Sequence, residues 1–190
     1  VLDAAAALLG RNGYQATRVD DILESAGVAP SNFYYHWESK EELALEVLEG
    51  YFERSRRETS TVLEDRSLRA TEKLKRIHAF IVKKLAAAGC CGGCPMGNLA
   101  QELSDVHAEF RKRLARHFVE RLESIAAVVR EGVRAGEFRK GTDPRAAAYL
   151  LLGSIQGLML LSKNLKTTEP FDRGFAQALD LMIRKDGRKE

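Results

Sequence analysis

The sequence predicts an all-α protein of about nine helices, with an N-terminal three-helix domain over residues 1–50 and a larger helical domain over 51–190. Three observations lead there. Apolar residues recur at three- and four-residue spacing along most of the chain, and no segment alternates with period two. Each of the four prolines, Pro30, Pro95, Pro144 and Pro170, stands where a helix would begin.

The opening VLDAAAALLG already reads as mid-helix, so the native N-terminus is expected upstream, and this helix should stop at Asn12-Gly13. Thr17-Arg18-Val19-Asp20 has the spacing of a capping box, which puts a second helix from Arg18 to Ser25, ended by Ala26-Gly27. A third helix follows from about Pro30 to His36. Ser39 then caps a fourth that opens with Lys40-Glu41-Glu42 and carries Leu43, Val47, Leu48 and Tyr51. Beyond Arg57 the helices lengthen. Leu74, Ile77, Ile81 and Leu85 share one face, as do Phe110, Leu114, Phe118, Leu122, Ile125 and Val129. GCCGGCPMGN breaks the pattern between them, and helices from about Pro144 to Leu165 and Pro170 to Arg184 complete the chain.

Composition narrows the function classes. Apolar residues make up 45% and charged residues 30%, the balance of a water-soluble folded domain. The longest apolar run, Ala146 to Leu161, is interrupted by Gly153, Ser154, Gln156 and Gly157, so neither a spanning helix nor a membrane partner is expected. Three cysteines confined to GCCGGC do not suggest a disulfide framework, and a reducing cytoplasm is the simplest setting. Paired carboxylates, a nucleophile elbow and a phosphate loop are all missing from the sequence, which argues against an enzyme.

The segment SNFYYHWESKEEL sets Phe33, Tyr34, Tyr35, His36 and Trp37 side by side. A helix turns about 100° per residue, so these rings cannot all enter one core. Two short helices joined by Ala26-Gly27-Val28 fit a helix-turn-helix, with Ile22, Ala26, Val28 and Phe33 as its small core. Phe33 and Trp37, four apart, then point inward, leaving Ser31, Asn32, Tyr35 and His36 outside. Asparagine and serine suit base edges in a major groove, tyrosine and histidine suit phosphates, and Lys40 adds a charge at the groove edge. Charge runs the other way: residues 1–57 carry 6 Lys+Arg against 10 Asp+Glu, and the remainder 24 against 17. Glu41, Glu42, Glu46, Glu49 and Glu53 are expected behind the contact surface, on the fourth helix.

The run TRVDDILESAGVAPSNFYYHWESKEEL resembles the DNA-binding signature of the tetracycline-repressor family of bacterial regulators, in its glycine, aromatic triplet, histidine and later lysine. The resemblance covers about the first 50 residues. It implies a homodimer that binds double-stranded operator DNA and is released by a small-molecule effector, with Arg18, Ser31, Asn32, Tyr34, Tyr35, His36 and Lys40 as DNA contacts. Two positions depart from the family pattern: Ala29 replaces a serine-type cap, and Asn32 stands where threonine is usual, which bears on the operator sequence.

In the C-terminal part, Gly153 and Gly157 lie one turn apart and would admit another helix closely; with Phe171 and Phe175 of the last helix they form the expected dimer seam, packing within the chain being the alternative. Phe80, His117, Phe118 and Gln156, with Cys94 and Met96, are the candidates for lining an effector pocket. Cys90, Cys91 and Cys94 have poor zinc spacing even with His107 added, so neither a metal nor another cofactor is expected. Cys94 precedes Pro95 at a helix start, where a thiol gains reactivity, so a thiol-reactive effector is a second option and small residues in a tight loop a third. CPMGNLAQELSD also resembles a segment of some C-terminal domains in the same family. A competing reading is an all-α thiol oxidoreductase using the Cys91/Cys94 pair.

Overall fold

The computed structural model describes residues 1–183. Among these, nine helices follow one another: α1 (Leu2–Asn12), α2 (Val19–Ala26), α3 (Pro30–His36), α4 (Lys40–Leu63), α5 (Ala70–Ala87), α6 (Pro95–Leu103), α7 (Ala108–Arg134), α8 (Pro144–Leu165) and α9 (Glu169–Met182). One isolated antiparallel bridge, Phe138 to Ile183, is the β-type pairing present among them. All four prolines open helices, at the first turn of α3, α6, α8 and α9.

The chain forms two compact units that are discontinuous in sequence. One is Val1–Arg56 with Cys94–Ala115; the other is Arg57–Gly93 with the chain from Arg116 onward. The expected boundary at residue 50 therefore falls inside α4, and α6 with the start of α7 belongs to the N-terminal unit. That first unit is built on Ala5, Leu9, Ile22, Phe33, Leu43, Leu48, Leu99, Leu103 and Phe110, all at most 2% exposed. Loss of such a side chain costs about 2–5 kcal/mol.

The second unit has a separate core, in which Leu74 and Leu85 of α5, Ile125 and Val129 of α7, Leu151 of α8 and Phe171, Phe175 and Leu179 of α9 meet. Phe171 and Phe175 are 0% and 1% exposed, and their rings lie parallel with each other and with His78. They are core residues, which corrects their assignment to a dimer seam. The close approach between α8 and α9 is made instead at Gly174, where a Cβ would lie 2.6 Å from Leu158. Nothing lies within 4 Å of where a Cβ would stand at Gly153 or Gly157.

Two local corrections concern capping. The second helix starts one residue later than the capping-box spacing predicts: Thr17 donates its hydroxyl to the Gly13 carbonyl (2.7 Å), and Asp21, not Asp20, accepts from the Arg18 amide (2.9 Å). Burial explains the shift, since Thr17 is 0% exposed and its hydroxyl needs a partner inside. The last helix ends at Met182, and Arg184 lies outside the described residues.

One ground of the membrane expectation does not hold: by length and composition alone α8 is apolar enough to cross a bilayer, the glycines, serine and glutamine notwithstanding, a test that the core helix of a water-soluble protein also passes. Of the 18-residue α8 window that passes it, only 22% is buried in the structure.

Candidate nucleic-acid interface

The candidate interface is built on α2 and α3. α2 ends in a Schellman motif: Gly27 takes a left-handed conformation (φ 65°), its N–H donates to the Glu24 carbonyl, and the Val28 N–H reaches back to Leu23. That turn swings the chain into α3, whose seven residues have one fully buried anchor, Phe33. Trp37 follows at the helix end, 9% exposed and tilted against Phe33 at 5.7 Å, with its indole N–H donated to Glu46 (2.7 Å). With these two rings inside, the rest of α3 faces out. Ser31, Asn32 and His36 are exposed, and Tyr34 and Tyr35 are 65% and 83% exposed. Tyr34 rests edge-on against Phe33 and Tyr35 against His36. The structure thus gathers five of the seven predicted contacts on one short helix.

The other two are placed differently. Arg18 is exposed at the N-cap of α2 and pairs with Asp20 at 3.2 Å, a weak contact between two well-solvated side chains. Lys40 does not stand free at a groove edge. Its ammonium donates to the carbonyls of Tyr14 (3.0 Å) and Thr17 (3.1 Å) and sits 4.2 Å over the Tyr14 ring. On the opposite side of the same loop, Glu102 of α6 accepts from the backbone amides of Tyr14 (2.8 Å) and Gln15 (2.6 Å). No motif in the sequence marks Glu102; it is found only once α6 is seen within the N-terminal unit. Burial, then Glu41 and Glu102, push the Tyr14 phenol above its ordinary value.

Three acids of α4, Glu42, Glu46 and Glu49, bond within the protein. Ser39 accepts from the Glu42 amide while Glu42 accepts from Glu38, closing the predicted cap of α4, and Glu46 and Glu49 hold Trp37 and Arg113.

The predicted pocket residues divide between the two units. Cys94 and Met96 belong to the first unit, and Phe80, His117, Phe118 and Gln156 to the second. His117 is buried, Phe118 and Gln156 are half-buried, and half-buried Phe80 carries the Lys84 ammonium over its ring at 5.4 Å. An open groove of about 500 Å³ lies between α1 and α4, lined in part by Asp3, Glu46, Glu49 and Arg54, and includes none of the six. Among the described residues no three His, Cys, Asp or Glu side chains cluster as metal ligands. Of the three thiols, Cys90 is buried, Cys91 exposed and Cys94 half-buried, with Cys94 Sγ accepting from the Gly97 amide (3.4 Å) as the N-cap of α6.

Comparison with known proteins agrees with this geometry. Residues 1–47 match the family model for bacterial regulatory proteins of the tetR family, and residues 70–178 match that for the tetracyclin repressor-like C-terminal domain. The HTH-type transcriptional repressor DhaR of Mycobacterium sp. (strain GP1) is 33% identical over 171 residues, spanning 90% of this chain and 84% of that protein. The fatty acid metabolism regulator protein of Bacillus subtilis is 26% identical over 156 residues, 82% of this chain and 77% of that one. Among solved structures, a regulatory protein TetR from Rhodobacter sphaeroides superposes with a TM-score of 0.90 at 25% identity, covering 95% and 96% of the two chains. A helix-turn-helix whose outward face is polar and aromatic, together with family matches over both parts of the chain, establishes that this protein belongs to the tetracycline-repressor family of DNA-binding transcriptional regulators.

Proposed function

We propose that the protein is a repressor that binds a palindromic operator as a homodimer and is released when an effector engages its C-terminal part. The observation that carries the reading is the division of α3, with Phe33 and Trp37 buried while Ser31, Asn32, Tyr34, Tyr35 and His36 are exposed together. Side chains so placed read base edges and phosphates from a helix laid in the major groove. Arg18, exposed beside them, joins the contact by releasing Asp20.

The dimer is supported by α8. Tyr149, Leu150, Leu160, Leu161 and Leu165 are 48–62% exposed and follow one helical face, with exposed Gly153 and Gly157 between them. An apolar strip this continuous marks an interaction surface. Its opposite face, through Ala147, Ala148 and Leu151, is already committed to the core, which favours a second protein copy over lipid. A dimer also matches a palindromic operator, whose successive half-sites lie about 34 Å apart.

Both forms of the effector are retained. For a thiol-reactive one, the candidate is exposed Cys91, whose sulfur accepts from the Lys166 ammonium at 3.7 Å. For a reversible ligand, Phe80, His117, Phe118 and Gln156 of the second unit remain the proposed contacts. The test is gel retardation with the intergenic DNA flanking the gene. Retardation of a palindromic fragment at a stoichiometry of two chains per site is the expected result, and turnover of peroxide or disulfide without DNA binding would move the assignment to the oxidoreductase reading.

A further inference from the structure

The loop Gly13–Thr17, which delivers the chain into α2, is held by charge on both sides. Glu102 receives two of its backbone amides, from Tyr14 and Gln15, and Lys40 donates to two of its carbonyls, those of Tyr14 and Thr17. The fit at Glu102 is close. Gly13 has φ 84°, and a Cβ there would fall 2.7 Å from the carboxylate, so the loop has glycine where the acid approaches. Tyr14 is fixed further by edge contacts to His107 (5.6 Å) and Phe110 (5.5 Å). Hydrogen bonds to a charged group are stronger than those between neutral partners, and this carboxylate holds two adjacent backbone amides at once.

We infer that Glu102 is a positioning residue for operator binding: it touches no DNA, but by fixing the two amides it sets where α2 begins, and through the Gly27 turn where α3 points. The inference rests on the DNA-binding reading and goes beyond it, because it assigns a role in recognition to a helix outside the three-helix reader.

Its test exploits the sign of the charge. Residues 1–56 and 94–115 hold eight Lys and Arg against thirteen Asp and Glu, so removing one carboxylate should, on charge alone, strengthen attraction to DNA. A positioning role requires the opposite. The probe is a duplex that the wild-type protein selects from a random pool, with affinity followed by fluorescence anisotropy. Glu102→Gln, which keeps one acceptor oxygen, should weaken binding about tenfold with an unchanged salt slope. Glu102→Asp, with the same charge on a shorter arm, should weaken it several-fold. Unchanged or tighter binding by both variants, with wild-type binding intact, overturns the inference; absence of wild-type binding instead overturns the DNA reading. Where a variant does not fold, amide spectra of the wild-type protein decide. The Tyr14 and Gln15 amides should both be protected from hydrogen exchange, and two amides that exchange at the rate of a free chain refute the clamp.

Discussion

Single carboxylates do much of the fixing in this chain, and Glu137 shows how. It lies far from α5 in sequence yet caps it, accepting from the Ala70 amide, the Thr71 amide and the Thr71 hydroxyl, with Arg69 at 3.7 Å. Burial pushes its carboxyl upward and is the largest influence, but the Thr71 and Ala70 donors and Arg69 together outweigh it, leaving the net shift below the ordinary value. A carboxyl that ionises more readily when folded adds stability above the unfolded-state range and loses it as pH falls through the folded value. Glu137→Gln should therefore cost about 1–2 kcal/mol at neutral pH. In urea melts the gap between the two proteins should narrow steadily in acid; a gap that stays constant with pH would show that charge is not what caps the helix. Neither Glu137 nor Glu102 was legible in the sequence. Both act across more than sixty residues, on backbone groups that any residue type could have supplied.

The reading helix was the most legible element, because its period is written in side chains that cannot be reconciled any other way. Five adjacent aromatic or histidine residues on a helix force a split between core and surface, and the split predicted for Phe33 and Trp37 is the one observed. Capping was less legible. Thr17 and Asp20 have the right types and spacing, but Thr17 faces inward and the cap moved on by one residue. Lys40 illustrates the same difficulty, since a lysine at the family position is visible in the sequence and the two carbonyls that hold it are not. For recognition, Asn32 is the residue to change. Asn32→Ala should cost about 1–3 kcal/mol on the preferred duplex and relax selectivity at one base pair of each half-site, measured by selection from a randomised pool. A uniform loss on every sequence would reassign Asn32 to the phosphate backbone.

At the scale of the molecule, helix number, order and approximate ends followed from proline placement and apolar period, whereas the discontinuous units did not. α6 lies after a glycine-rich break, and nothing in its own pattern says which core receives Leu99 and Leu103. The same limit misplaced Phe171 and Phe175: a stripe on a helix states that something covers it, not whether the cover comes from the same chain. α8 has the uncovered face. Leu161→Glu combined with Leu150→Glu should convert a dimer to a monomer in sedimentation, keep the helical circular dichroism, and weaken operator binding at least tenfold. Retention of the dimer would exclude this face as the seam.

Trp37 has a practical use. It is the one tryptophan among these 190 residues, its indole is tied to Glu46, and it closes the helix proposed to meet the operator. Tryptophan emission from residues 1–190 therefore originates at this helix end alone. Titrating duplex into unlabelled protein and watching that one fluorophore gives an optical record of docking, with no dye attached and no second emitter to subtract.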